Sequence, residues 1–337
     1  MFRTANGQVW ATKWVALLIL YAQTIVKVFG RSSLIRIVEN RANMTAKPLL
    51  DPDFLAKLQR LEIVSKKIFS GKTKGERLSK RKGQSVEFAD FRPYSVGDDL
   101  RFLDWNLFAR LDRLFLRLFV EEEDLHVYLL IDNSLSMEFG EPTKLHFAKQ
   151  VVAALGFIGL TNMDRVVVEA FNNRISQSTP ALRGRRSLWR LTSFLESVEP
   201  AGASDLTRAL KAFSMKAKGK GVVVILSDFM DKAGYADGLR YLIARNMDVY
   251  VVQVLSQEEI EPPYTGDLKL TDAEDGDQAE VTVSAPLLKK YKENLAAYRG
   301  KLAEFCARRG VNYLFTSNQV PFDRLVMGYM RQRGLVR

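Results

Sequence analysis

Three short stretches of this chain place hard oxygen donors where a strand should end or a helix begin. They are Asp132-Asn133-Ser134-Leu135-Ser136, Gly202-Ala203-Ser204-Asp205 and Ser227-Asp228. In sheets covered by helices on both faces, ligands bind beyond the carboxyl ends of the strands, and these stretches belong there. Asp132, Ser134, Ser136, Ser204 and Asp228 together offer two carboxylates and three hydroxyls. Completed by water, that set suits a small hard cation of octahedral preference, Mg²⁺ or Mn²⁺. The plainer alternative is an Asp/Ser turn whose side chains cap the next helix.

The elements that must position these donors are legible in the pattern. HVYLLID (126–132) and GVVVILSDF (221–229) are apolar, β-forming runs that each carry an acid near the end. VVVEAF (166–171), MDVYVVQVL (247–255) and VNYLFTS (311–317) are similar, and 175–178 reads as a short edge strand. Helical periodicity occupies 145–160, 187–197, 236–246, 286–309 and 323–333, with another helix opened by Ser204 or Asp205. Strands that are apolar throughout and alternate with helices imply an α/β fold, doubly wound around a mainly parallel sheet. Six strands are expected from about 124 to 337, with 126–132 and 221–229 adjacent at the centre. An acid-rich insertion separates 255 from 286.

Composition removes other chemistries. The chain has 337 residues and one cysteine, Cys306, so neither an internal disulfide framework nor a Cys-rich metal site is available. Two histidines, His126 and His146, make no metal cluster, and His146 lies in a helical pattern, which leaves a Ser–His–Asp arrangement unsupported. An aspartyl-phosphatase reading of Asp132 would want a second acid at position 134 and finds Ser134. No GxGxxG follows a strand, and Gly71-Lys72-Thr73 lacks the upstream glycine of a phosphate-binding loop because Lys66 stands there.

The net charge of +11 is confined to the first third of the chain. Residues 1–50 carry seven bases and one acid, residues 51–120 fifteen and ten, and the rest 28 of each. Residues 1–43 form an extension whose apolar stretch 14–29 is short for a membrane span. It reads as sequence upstream of a true start at Met44, as a membrane-associating helix, or as a docked soluble helix, and is expected to pack weakly. Residues 44–122 form a second segment with a basic run at 66–82, which is either a solvated loop or a contact for an acidic partner or nucleic acid. Phe69 is its only aromatic, so base stacking is unsupported. Within it, 86–119 reads as irregular and packed, with Arg92, Arg101 and Arg110 paired to Asp90, Asp98, Asp99 or Asp104.

The DxSxS of Asp132, Ser134 and Ser136, the Gly202-x-Ser204 loop and Asp228 resemble the metal-ion-dependent adhesion site of von Willebrand factor A domains, over about 124–320. That family usually has threonine where this chain has Ser204, which keeps the hydroxyl. The segment EFADFRPYSVGDDLRFLDWNLFAR with LLIDNSLSM resembles the bacterial family called domain of unknown function 58, extending the match to about 50–330. The resemblance implies a non-enzymatic, metal-dependent binding module whose cation is completed by a partner protein's Asp or Glu. It also implies a cytoplasmic adaptor for a MoxR-type AAA+ ATPase, with membrane contact through 14–29 if that segment is native. The alternatives are a metal-dependent phosphoester hydrolase, for which only Asp205 and Asp231 are spare acids, and nucleic-acid binding through 66–82.

Overall fold

Strands that are apolar at every position avoid water only inside a sheet covered on both faces, and the computed structural model places them there. It describes residues 52–65, 78–79, 87–122, 125–219, 221–264, 266–271, 274 and 278–337. The extension 1–43 and most of the basic run 66–82 lie outside the described residues. The chain divides into two units, one of residues 68–124 and one of the remainder. Of the expected segment 44–122, residues 52–65 therefore pack with the body. Helix α1 (Pro52–Leu58) buries Phe54 and Leu58, and Ile63 bridges to Val336.

The smaller unit corrects the expectation of an irregular segment. It contains β1 (Leu78–Ser79), β2 (Glu87–Pro93), α2 (Trp105–Leu111) and β3 (Phe115–Glu122), in a sheet of order β1-β3-β2 with antiparallel pairing. The strand alternation in β2 is broken by a register shift between Phe88 and Asp90, so its aromatics fall three apart rather than two. Arg92 pairs with Asp98 at 2.8 Å and Arg101 with Asp99 at 2.7 Å, whereas Asp104 is met by Arg117 at 2.9 Å rather than by Arg110. Asp104 also caps α2 by accepting from the N–H groups of Asn106 and Leu107.

In the body, β4 (His126–Asp132), α3 (Lys144–Thr161), β5 (Arg165–Phe171), β6 (Ile175–Ser178), α4 (Leu188–Ser197), α5 (Leu206–Lys216), β7 (Gly221–Ser227), α6 (Ala236–Ala244) and β8 (Asp248–Leu255) follow in order. The acid-rich insertion becomes α7 (Gln257–Ile260) and an antiparallel hairpin of β9 (Gly266–Thr271) and β10 (Gln278–Val283). Helix α8 (Ala285–Ala307), β11 (Asn312–Ser317) and α9 (Phe322–Arg324) complete it, with a π-helical turn over Leu325–Met330 where one continuous helix was expected.

The six-stranded sheet has the order β11-β8-β7-β4-β5-β6. All neighbours run parallel except β5 and β6. The fold is mixed α/β with a mostly parallel central sheet, as its strand pattern implies. On one face Tyr128, Leu130, Val223, Ile225, Val249 and Val251 pack with residues of α5, α6 and α8. The alternate residues Val127, Leu129 and Ile131 are equally buried and face the side on which α3 contacts β4 and β5. Each core strand thus loses water on both sides, which favours association by ~25 cal/mol per Å² of apolar surface removed.

The centre of the sheet requires glycine at one point. His126 of β4 pairs with Gly221 of β7, and a Cβ at 221 would stand 2.1 Å from the His126 carbonyl oxygen. We expect Gly221→Ala to cost about 2 kcal/mol through this clash, read as a lower urea midpoint with an unchanged slope.

Candidate metal centre

Adjacent parallel strands that end level with each other bring their terminal residues together. Register pairs Ile131 with Leu226, so Asp132 and Ser227 emerge side by side with Asp228 next in line. Asp132 Oδ1 accepts from the Ser134 N–H at 2.9 Å, which folds the DxSxS turn back over its first residue. Its Oδ2 accepts from Ser227 Oγ at 2.6 Å. Ser134 Oγ and Ser136 Oγ lie 3.1 Å apart, and Ser136 Oγ donates to Asp228 Oδ2 at 2.8 Å. Asp132, Ser134, Ser136 and Asp228 thus converge in one connected network, and all four are buried.

Backbone conformation fixes Asp228. Phe229 follows it in the left-handed region, φ 57°, which costs a non-glycine residue ~1–2 kcal/mol. The conformation is held because Phe229 is buried, its N–H donates to Ser227 Oγ at 2.9 Å, and its carbonyl accepts from the Tyr298 hydroxyl. The Asp228 carbonyl accepts from Gln253 Nε2 at 2.8 Å, and Asp228 Oδ1 accepts from the Met230 N–H at 3.0 Å.

Ser204 stands at the rim. Its loop is tied to the DxSxS turn by the Leu135 N–H, which donates to the Gly202 carbonyl at 3.0 Å. Its own N–H donates to Glu274 Oε2 at 3.3 Å, so a carboxylate of the acidic insertion already stands there. Among the described residues, no hydrogen bond links the Ser204 hydroxyl to the other four donors. Asp205 is the N-cap of α5, with Oδ1 accepting from the Arg208 N–H at 2.8 Å. Asp231 accepts from the N–H groups of Leu206 and Ala233, both at 2.7 Å. Both spare acids are therefore engaged as caps.

The residue missed in the sequence is Lys144, fully buried at the first turn of α3. Its Nζ donates to Asp228 Oδ2 at 2.9 Å and to Glu259 Oε1 at 2.7 Å. A cation at a helix N-terminus opposes the helix dipole, and that misplacement is the available signal. The preceding turn requires Gly140, at φ 93°, since a Cβ there would lie 2.4 Å from Asn318 Nδ2. Glu259 itself closes a capping box with Ser256.

Electrostatics separate the two aspartates. Burial works to raise Asp228, but the Lys144 ammonium and its hydrogen bonds hold that carboxyl below the usual range. Burial works to lower Lys144, and the two carboxylates beside it carry it above its ordinary value. Asp132 is pushed up to about 6, first by burial and then by the charge of Asp228. Among the described residues, no ion pair reaches Asp132. Among the described residues, one buried ammonium, Lys144, pairs with Asp228 and Glu259 and stands with three buried carboxylates, two positive charges short when all are ionised.

That deficit fits a divalent cation. No group of three or more His, Cys, Asp or Glu is placed to hold a metal among the described residues, so any site must draw on hydroxyl and water oxygens. Hydroxyls and carboxylates are the donors that a hard cation takes. The residues present therefore fit Mg²⁺ or Mn²⁺.

A sequence profile described as "Protein of unknown function DUF58" matches residues 90–301. The chain belongs to this family. Among its relatives, the uncharacterized protein Rv1480 of Mycobacterium tuberculosis is 30% identical over 258 residues, covering 75% of this chain and 81% of that protein. The uncharacterized protein MAV169 of Mycobacterium avium is 32% identical over 127 residues, covering 37% of this chain and 75% of its own. The hypothetical protein BatB from Bacteroides thetaiotaomicron aligns in structure at 14% identity and a TM-score of 0.38, covering 62% of this chain and 98% of its own. An aerotolerance-related membrane protein from Bacteroides fragilis aligns at 13% and 0.37, covering 62% and 97%.

The Asp132 shift gives a signed expectation. Between about pH 4 and 6 the folded chain keeps a proton that the unfolded chain has released, so this group's contribution to stability falls as pH rises through that window. Wild type should accordingly lose stability relative to Asp132→Asn from pH 4 to 6 in metal-free buffer, then run parallel to it above pH 7. A constant difference across the window, in urea unfolding, would contradict a buried charge at Asp132.

Proposed function

We propose that this chain is a non-enzymatic binding module with a von Willebrand factor A-like body, whose Asp132, Ser134, Ser136 and Asp228, with Ser204 at the rim, hold Mg²⁺ or Mn²⁺. The observation that carries this reading is the pair of buried carboxylates at adjacent strand ends, of which, among the described residues, only Asp228 has a cationic partner. When bound, the cation would supply the missing positive charge and an acceptor-seeking position for a carboxylate. Uncharged hydroxyls are the other donors, so the cation would offset the buried carboxylates and keep a coordination position for an Asp or Glu from a partner protein. The rim already receives one carboxylate, that of Glu274. Following the family resemblance, the partner is a MoxR-type AAA+ ATPase, and the setting is cytoplasmic. Among the described residues, no helix is long and apolar enough to cross a membrane.

The hydrolase alternative gains little from the geometry. A phosphoester hydrolase using a metal as Lewis acid needs a base and a leaving-group acid beside the ion. Asp205 and Asp231 are committed to backbone N–H groups.

The test is thermal unfolding with Mg²⁺ titrated into wild type and Asp132→Ala. A ligand that binds only the folded state adds ~2.7 kcal/mol at a hundredfold excess over its dissociation constant. We expect that gain in wild type and its loss in Asp132→Ala, together with loss of ATPase capture by the variant. Equal melting responses would remove the metal centre, and capture indifferent to both chelator and substitution would remove the binding mechanism.

A further inference from the structure

The opposite end of the sheet has a different chemistry. From Thr179 to Leu195 the chain carries Arg183, Arg185, Arg186 and Arg190 and no acid, within a body that is charge-neutral as a whole. The structure places this stretch at the N-terminal end of β5, because Leu182 bridges Val166 and Arg183 Nε donates to the Met163 carbonyl at 3.0 Å. All four arginines are exposed. Two large apolar side chains accompany them, Trp189 at 63% and Met163 at 52% exposure, both well above what a core-forming residue shows. The Arg190 guanidinium lies 5.4 Å from the Trp189 ring centre, and Arg185 packs over Phe157 at 5.7 Å.

The N-terminal part of the chain joins the body at this same end. Asn162 Nδ2, just before Met163, donates to the Leu61 carbonyl at 2.8 Å. Ser65 hydrogen-bonds Asp248, the first residue of β8. In sequence, the basic run 66–82 follows Ser65, and residues 1–50, with seven bases and one acid, precede α1. The exposed arginines therefore lie at the end of the sheet away from the Asp132 centre, and the sequence on either side of residues 52–65 is basic.

We propose that this end is a docking surface for an anionic lipid bilayer, with the four arginines facing headgroups and Trp189 and Met163 entering the interface. Arginine with a single amphipathic aromatic and a flexible apolar side chain is the composition of an interfacial contact. Nucleic-acid binding would call for several aromatic platforms along the basic track, and Trp189 is the one exposed aromatic in this stretch.

The experiment is flotation of the full chain with phosphatidylcholine vesicles containing phosphatidylglycerol, against pure phosphatidylcholine. Wild type should float with the anionic vesicles only and be released by salt. Each arginine near such a surface contributes about 1 kcal/mol, so Arg186→Ala/Arg190→Ala should reduce partition about thirtyfold at unchanged melting temperature. Trp189→Ala should remove part of the blue shift in tryptophan emission on binding. The proposal is overturned by equal flotation with neutral vesicles, by no flotation, or by flotation unchanged in the double variant. It is also overturned if a single-stranded oligonucleotide displaces the vesicles from wild type but binds the double variant weakly.

Discussion

Burying a charge costs several kcal/mol unless an opposite charge and hydrogen bonds compensate it, and this constraint organises the upper end of the sheet. Asp132, Asp228 and Glu259 are all buried, and among the described residues Lys144 is the cation paired with the last two. Because the ammonium is shared between Asp228 and Glu259, it ties the end of β7 to the start of α7 and, through the Glu259 carbonyl, to Tyr291 of α8. Asp132 is left with neutral donors, Ser227 Oγ and the Ser134 N–H. The same arrangement that stabilises the corner leaves it electrostatically incomplete, which is what a cation site requires before it binds.

The central strand pair and the acids at its ends were readable because both follow from local rules. Apolar runs of seven or eight residues ending in an acid define buried parallel strands and their carboxyl ends. Adjacency of β4 and β7 then brings Asp132 and Asp228 together without further information. Lys144 was not readable. Lysine in a helix is normally exposed, and only its place in the first turn of α3 hinted otherwise. The carboxylates that hold it come from 84 and 115 residues away in sequence. Asp205 reads as a spare acid but is spent on a helix cap, a role that its position before Leu206 already suits. The smaller unit was hidden by a β-bulge at Ala89, which breaks the two-residue period on which strand recognition depends.

Ser204 marks a boundary between what topology dictates and what a bound ion would. The Gly202 carbonyl ties its loop to the DxSxS turn, but its N–H meets Glu274 from the acidic insertion. A carboxylate at that rim is the chemistry the proposed partner would bring, so the hairpin and the partner would meet the same loop. The arginine-rich end lies at the other end of the strands, leaving the two surfaces free to be used together. A module arranged in this way could present its cation to a protein while resting on a bilayer.

One divalent-cation site built on Asp132 and Asp228 underlies the proposed binding. Electron paramagnetic resonance of Mn²⁺ tests it directly, because the ion's free signal falls as it binds. Titration of the full chain should reveal one tight site per chain, retained in Asp205→Asn and abolished in Asp132→Asn. Absence of a tight site in wild type, or a site that survives Asp132→Asn, would mean that these two carboxylates do not hold a divalent cation.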